Sequence, residues 1–113
     1  MSELKKMNTL TIGEDTWAVG CPQIRHESNE ATIEPNVWNV WGEVGELAIT
    51  KGDEIGGIVN NYMIRFTAGA NTKITLNWDD TQVTWYGGEE PTWTDGKIYE
   101  ISIVDNIALW SEF

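Results

Sequence analysis

Apolar residues in this chain recur at every second position, in runs of strand length. Tyr62, Ile64 and Phe66 alternate with Met63, Arg65 and Thr67. Ile74, Leu76 and Trp78 follow the same rule, as do Val83 and Trp85, and Tyr99, Ile101 and Ile103. Side chains with a period of two stand on one face of an extended strand. No long segment repeats the helical period, and turn residues interrupt the runs after about 8–12 residues. Further short strands are expected over 8–12, 16–19, 37–41, 46–50 and from Ile107 onward, with Gly13-Glu14-Asp15 closing the first hairpin. The stretch 20–36 is polar, weakly periodic and punctuated by Pro22 and Pro35. It reads as a connection with at most a turn or two of helix. The expectation is an all-β fold: an antiparallel, jelly-roll-like β-sandwich of eight or nine short strands. Residues 1–36 form an N-terminal hairpin and irregular connection, an attachment element, and 37–113 the sandwich.

Between the last two alternating runs stand Asp105 and Asn106. Both residue types tolerate φ > 0, as a two-residue type I′ turn requires. The last strand is therefore expected to fold back on its predecessor. That packs Trp110 and Phe113 either in the core or against another subunit.

Charge excludes several functions. The chain has 18 acidic and 7 basic residues, a net charge of -11. It repels phosphate, so neither nucleic acid nor an anionic membrane surface is an expected partner. No apolar run approaches the roughly 20 residues that span a bilayer, so no membrane insertion is expected. Cys21 is the single cysteine and cannot form an intrachain disulfide. The start, "MSELKKMNTL", has no long apolar stretch and no cleavage motif, which points to synthesis in a cytoplasm.

Catalytic chemistry finds little to stand on. His26 is the single histidine and sits in the polar connection near Cys21. One His with a Ser or Cys at no recognised spacing reads as a solvated residue, and Cys21 as a small, half-buried side chain. The pairs Asp53-Glu54, Asp79-Asp80 and Glu89-Glu90 do not form a calcium loop and read as acidic turns. No carboxylate pair is singled out for glycoside hydrolysis. No enzymatic activity, cofactor or metal is expected.

Seven tryptophans remain to be explained. Trp17, Trp78 and Trp85 share faces with aliphatic residues and read as core. Trp38 and Trp41 lie three apart, on opposite faces of one strand, so one of them points away from the core. Trp93 falls in the turn-rich "GGEEPTWTDG". An exposed Trp is an interface anchor or a sugar platform. Trp38, Trp41, Trp93 and Trp110 are the candidates for such contacts. Oligomerisation is favoured over sugar binding because a small disulfide-free domain gains from it.

Several segments together resemble a known domain. They are "WGEVGELAIT", "VNNYMIRFTAG", "TKITLNW", "VTWYGGEEPT" and "GKIYEISIVDNIALWSEF", which run from Trp41 to Phe113. They resemble the C-terminal β-domain of tail-fibre-like and other virion-surface proteins of phages that infect gut bacteria. "MNTLTIGEDTWAV" is similar to the short element with which many such proteins begin, with Thr16-Trp17 in place of a Thr-Tyr pair. Trp78 stands where the family often has Pro, and only 20–36 separates the two elements. That spacing favours a compact capsid-decoration, head-fibre or tail accessory protein over a long tail fibre. The resemblance implies a non-catalytic virion structural protein, made in the bacterial host's cytoplasm and placed on the virion. It also implies a homo-oligomer, a trimer before other states, docked on the major capsid or tail protein and open to a host-surface glycan. The alternative is a small carbohydrate-binding module that uses an exposed Trp.

Overall fold

The computed structural model describes residues 9–12, 15–18, 22–79 and 82–113. Gly13, Glu14, Cys21 and Asp80, on which some of the expectations above fall, lie outside the described residues. All regular structure among the described residues is β. β1 (Thr9–Ile12) and β2 (Asp15–Ala18) pair antiparallel as a two-stranded sheet. A seven-stranded sheet holds β3 (Gln23–Arg25), β4 (Glu30–Ile33), β5 (Trp38–Lys51), β6 (Tyr62–Asn77), β7 (Thr84–Trp85), β8 (Ile98–Val104) and β9 (Ile107–Glu112). Its order is β3-β5-β6-β8-β9-β7, with β4 also on β5.

The sheet forms two layers because its longest strands double back. β6 has 16 residues, which laid straight would span about 50 Å at roughly 3.3 Å per residue. Yet the rings of Tyr62, at its start, and Trp78, just past its end, meet edge to face at 5.2 Å. The bend lies where the register between β5 and β6 slips: between Val40 and Glu43, and between Val44 and Glu46. Across the second slip β6 advances from Ala68 to Lys73 while β5 advances only from Val44 to Glu46. Extra residues on one strand of a pair bend it. Thr72 secures the corner. Its hydroxyl accepts from the Gly69 N–H at 2.6 Å and donates to the Val44 carbonyl at 2.6 Å.

The two halves close on one core. Ile64, Phe66, Tyr99, Ile101 and Ile103 from the first layer pack with Ile33, Leu47, Ile49 and Ile74 from the second. The cross-strand rows Tyr62–Ile103–Ala108 and Ile64–Ile101–Trp110 face inward in the first layer.

The all-β fold is as expected, and its form is consistent with a sandwich. The pairing is mixed. β6–β8 and β8–β9 are antiparallel, as expected, while β3–β5, β4–β5, β5–β6 and β7–β9 are parallel. Parallel neighbours ordinarily need a long crossover, usually a helix. Here each doubled strand ends beside its own start, so the loop 52–61 leads straight from β5 into β6. The stretch 20–36, expected to be a connection, carries β3 and β4 along the outer edge of β5. The separate strands expected over 37–41 and 46–50 are one strand, β5. The alternating runs Tyr62–Phe66 and Ile74–Trp78 likewise fall largely in one strand, β6. Of the run that holds Val83 and Trp85, only Thr84–Trp85 is strand among the described residues.

Asp105 and Asn106 join β8 to β9 with φ of 51° and 66°, between the paired residues Val104 and Ile107.

At the open end of the fold the Gly52 N–H donates to the Ile33 carbonyl at 2.9 Å, and the Tyr62 hydroxyl donates to the Gly52 carbonyl at 2.7 Å. A Cβ on Gly52 would stand 2.3 Å from the Ile33 oxygen. Because that oxygen is backbone, it cannot swing away. Gly52→Ala is therefore expected to destabilise the fold by about 2 kcal/mol, the usual scale of overpacking, as read from the midpoint of urea unfolding.

Candidate functional site

The four candidate tryptophans separate. Trp41 is 4% exposed. Its indole N–H donates to the Ser28 carbonyl at 2.8 Å, and its ring stacks on His26 at 4.3 Å. It leaves almost no surface for a partner. Trp38 points to the opposite face and is half-buried. Trp93, expected in an exposed turn, is half-buried against the core. Its ring meets Tyr99 at 5.0 Å and Phe66 at 5.3 Å, and its N–H donates to Glu90. The turn is held down by Tyr99, whose hydroxyl accepts from the Thr94 N–H at 2.7 Å and donates to Glu112 Oε2 at 2.8 Å. Trp110 is the most open of the four at 40%, with its ring 6.1 Å from that of Tyr99.

His26 is not a solvated residue. It is half-buried and bonds to Asn39 Oδ1 at 2.9 Å. Asn39 is fully buried, and its Nδ2 donates to the carbonyls of Glu34, Val37 and Met63. With the amide nitrogen so committed, Oδ1 must accept, which fixes the proton on His26 Nε2. The imidazole therefore ties the end of β3 to β5. Asn39 was not singled out in the sequence, and a lone Asn within "VWNVW" gives no signal of burial. Asn39→Leu fills the same space but strands the carbonyls and the imidazole. It is expected to cost about 2 kcal/mol or more, measured by chemical denaturation.

A cleft of about 190 Å³ opens between the loop 52–61 and the Asp105–Asn106 turn. Lys51 closes it, with Nζ 2.8 Å from both Asp79 and Glu54. Hydrogen bonds, first to Asp79 and then to Glu54, hold its ammonium well above the usual lysine pKa in spite of burial. Burial pushes the Tyr62 phenol beneath it upward as well. Two of the acidic pairs weighed as calcium ligands thus each give a carboxylate to a lysine. No group of three His, Cys, Asp or Glu that could hold a metal occurs among the described residues. A lysine with a raised folded pKa adds its stability in full below the unfolded value of about 10.4 and loses it as pH rises toward the folded one. The stability gap between the parent and Lys51→Gln is therefore expected to be flat from pH 6 to 9 and to shrink above about 10.4, as followed by thermal melts.

The two outward faces differ in kind. On the second layer the rows Glu30–Ala48–Thr75 and Thr32–Thr50–Asn77 face out, a polar surface. On the first layer Trp38 faces out beside Met63, Met63 beside Ser102, Ser102 beside Leu109, and Val104 beside Ile107. Ile107, Leu109 and Phe113 are 47%, 51% and 61% exposed. Met63 and Val40 are buried yet stand apart from the main core, under this outer surface. The one carboxylate in its central rows, Glu100, is paired with Arg65. The alternation of Ile107, Leu109 and Phe113 stands in "IALWSEF", and it places Phe113, expected in the core or against another subunit, on the outward face. Comparison with protein-family models, with curated proteins and with solved structures finds no match.

Proposed function

We propose that the chain is a non-catalytic structural protein of a phage virion, a small β-domain that decorates the capsid or serves a tail as an accessory. It docks by its apolar outer face on copies of itself or on the major capsid or tail protein. The observation that carries this reading is the contrast between the two faces. On a chain of net charge -11, one sheet face combines exposed aliphatic residues with a neutralised Arg65–Glu100 pair. Extended exposed apolar surface on a small domain marks a site of interaction. The sequence resemblance to phage virion-surface proteins supplies the setting, a virion assembled in a bacterial cytoplasm.

A second reading, a carbohydrate-binding module, draws on Tyr86, 71% exposed, and on the open edge of Trp110. A host-surface glycan is the ligand that would suit both readings.

Co-sedimentation with phage particles tests the proposal. The parent is expected to pellet with particles that lack their own copy. Trp38→Glu is expected to weaken this at least tenfold while the β-spectrum is kept. A parent that never pellets with particles but is retained on a polysaccharide column moves the conclusion to the sugar-binding module.

A further inference from the structure

The outer face of the first layer carries its central ion pair in an order that a second copy completes. Register fixes two rows of outward side chains across it. One runs Gln23–Trp38–Met63–Ser102–Leu109. Tyr86 continues it beside Leu109, with its N–H bonded to the Ala108 carbonyl at 2.8 Å. This row holds no charge. The other runs Arg25–Val40–Arg65–Glu100–Ser111, and Arg25, at its end, is paired with Glu27. Arg65 on β6 and Glu100 on β8 pair across neighbouring strands, with side chains still 44% and 24% exposed. The pair is a dipole laid across the middle of the sheet, positive toward β5 and negative toward β9.

Taking an ion pair out of water is costly unless further partners satisfy it. A partner on this face must therefore meet the pair with charges in the reverse order, and a second copy has that order by construction. A two-fold axis along the strands, midway between β6 and β8, sets Arg65 across from Glu100 of the second copy and Glu100 across from its Arg65. Face-to-face sheets pack about 10 Å apart with their strands nearly aligned, a gap that an arginine and a glutamate span together. Shifting the axis onto β6 would set Arg65 on Arg65, and onto β8 Glu100 on Glu100. The apolar groups follow the charges. The same axis brings Trp38 over Leu109 of the second copy, which is 51% exposed in the single chain, Met63 over its Ser102, and Gln23 over its Tyr86. No carboxylate in the two rows meets another, which decides contact on a chain of net charge -11.

We infer that two copies pack by the outer faces of their first layers about this axis, an isologous contact in which each pairing occurs twice. This rests on the docking face of the proposed function and, of the occupants given there, selects a second copy.

The test uses the isolated protein, without particles, so it fails or succeeds independently of the virion reading. Light scattering across protein concentration is expected to give a dimer mass that falls to the monomer on dilution. Arg65→Glu leaves only carboxylates at the axis, and Glu100→Arg only guanidinium groups. Each variant alone is expected to be monomeric with an unchanged β-spectrum. Mixed in equal amounts, the two are expected to form a dimer, because each then meets the opposite charge across the axis. A role confined to the ion pair within one chain would not be rescued by mixing. Leu109→Glu, at an exposed position, is expected to abolish the dimer, and Thr50→Glu, on the polar face, to leave it intact. A parent that is monomeric or trimeric overturns the inference. So does a charge variant that remains dimeric alone, a mixture that stays monomeric, or a Leu109→Glu chain that remains dimeric.

Discussion

The doubling-back of β5 and β6 sets the rest of the architecture. A sheet of straight strands this long would be a flat ribbon with no interior. By bending where the β5–β6 register slips, both strands lay their second halves over their first. One sheet thereby supplies both walls of the core. The same bend solves the connection problem of parallel pairing, because the end of each pass lies beside the start of the next. Thr72 holds the corner through two backbone partners, and Tyr62 closes the opposite end through Gly52 and Trp78. The molecule is thus fastened at the hinge and at the mouth, with aliphatic side chains between.

What could be read from the sequence followed from periodicity. The alternations at Tyr62–Phe66 and Tyr99–Ile103 marked strands and their inner faces, and those residues are core. The Asp105-Asn106 pair marked its turn because few residue types accept its backbone angles. Periodicity does not say which strand is neighbour to which, nor in which direction. Gly42 and Gly45 separate the runs 37–41 and 46–50 in the sequence, yet the strand continues through both. β3 and β4 escaped notice because they are short and only Ile24, Ala31 and Ile33 carry their apolar pattern. The tryptophans misled for a related reason: a side chain in a turn can still be core when a distant hydroxyl ties that turn down. The Tyr99 hydroxyl does so for Trp93.

The uneven treatment of the two faces bears on the proposed docking of so acidic a chain. Self-repulsion opposes any contact that brings carboxylates together. Across the central rows of the first layer's outer face the carboxylate is matched by a guanidinium, and toward β9 stand Ile107, Leu109, Phe113 and two serines, Ser102 and Ser111. Elsewhere Asp79 and Glu54 are drawn into the ion cluster around Lys51. Charge is therefore arranged rather than merely abundant, and it leaves one surface on which apolar contact is not opposed.

The pairing pattern also orders events in time. Within the large sheet, the partners in every strand pair except β8–β9 lie at least 15 residues apart in the chain. Contacts between distant residues must overcome chain entropy before they return any stabilisation, so folding slows as they come to dominate. The β8–β9 hairpin, with its two-residue turn, can close locally within about 1–10 μs. Once formed it presents β8 as a template for the first half of β6, and β6 can then recruit β5. On a ribosome the hairpin emerges after both long strands. β5 and β6 would wait, unpaired and apolar, until their template arrived, which makes the interval before its synthesis the period of greatest exposure to aggregation.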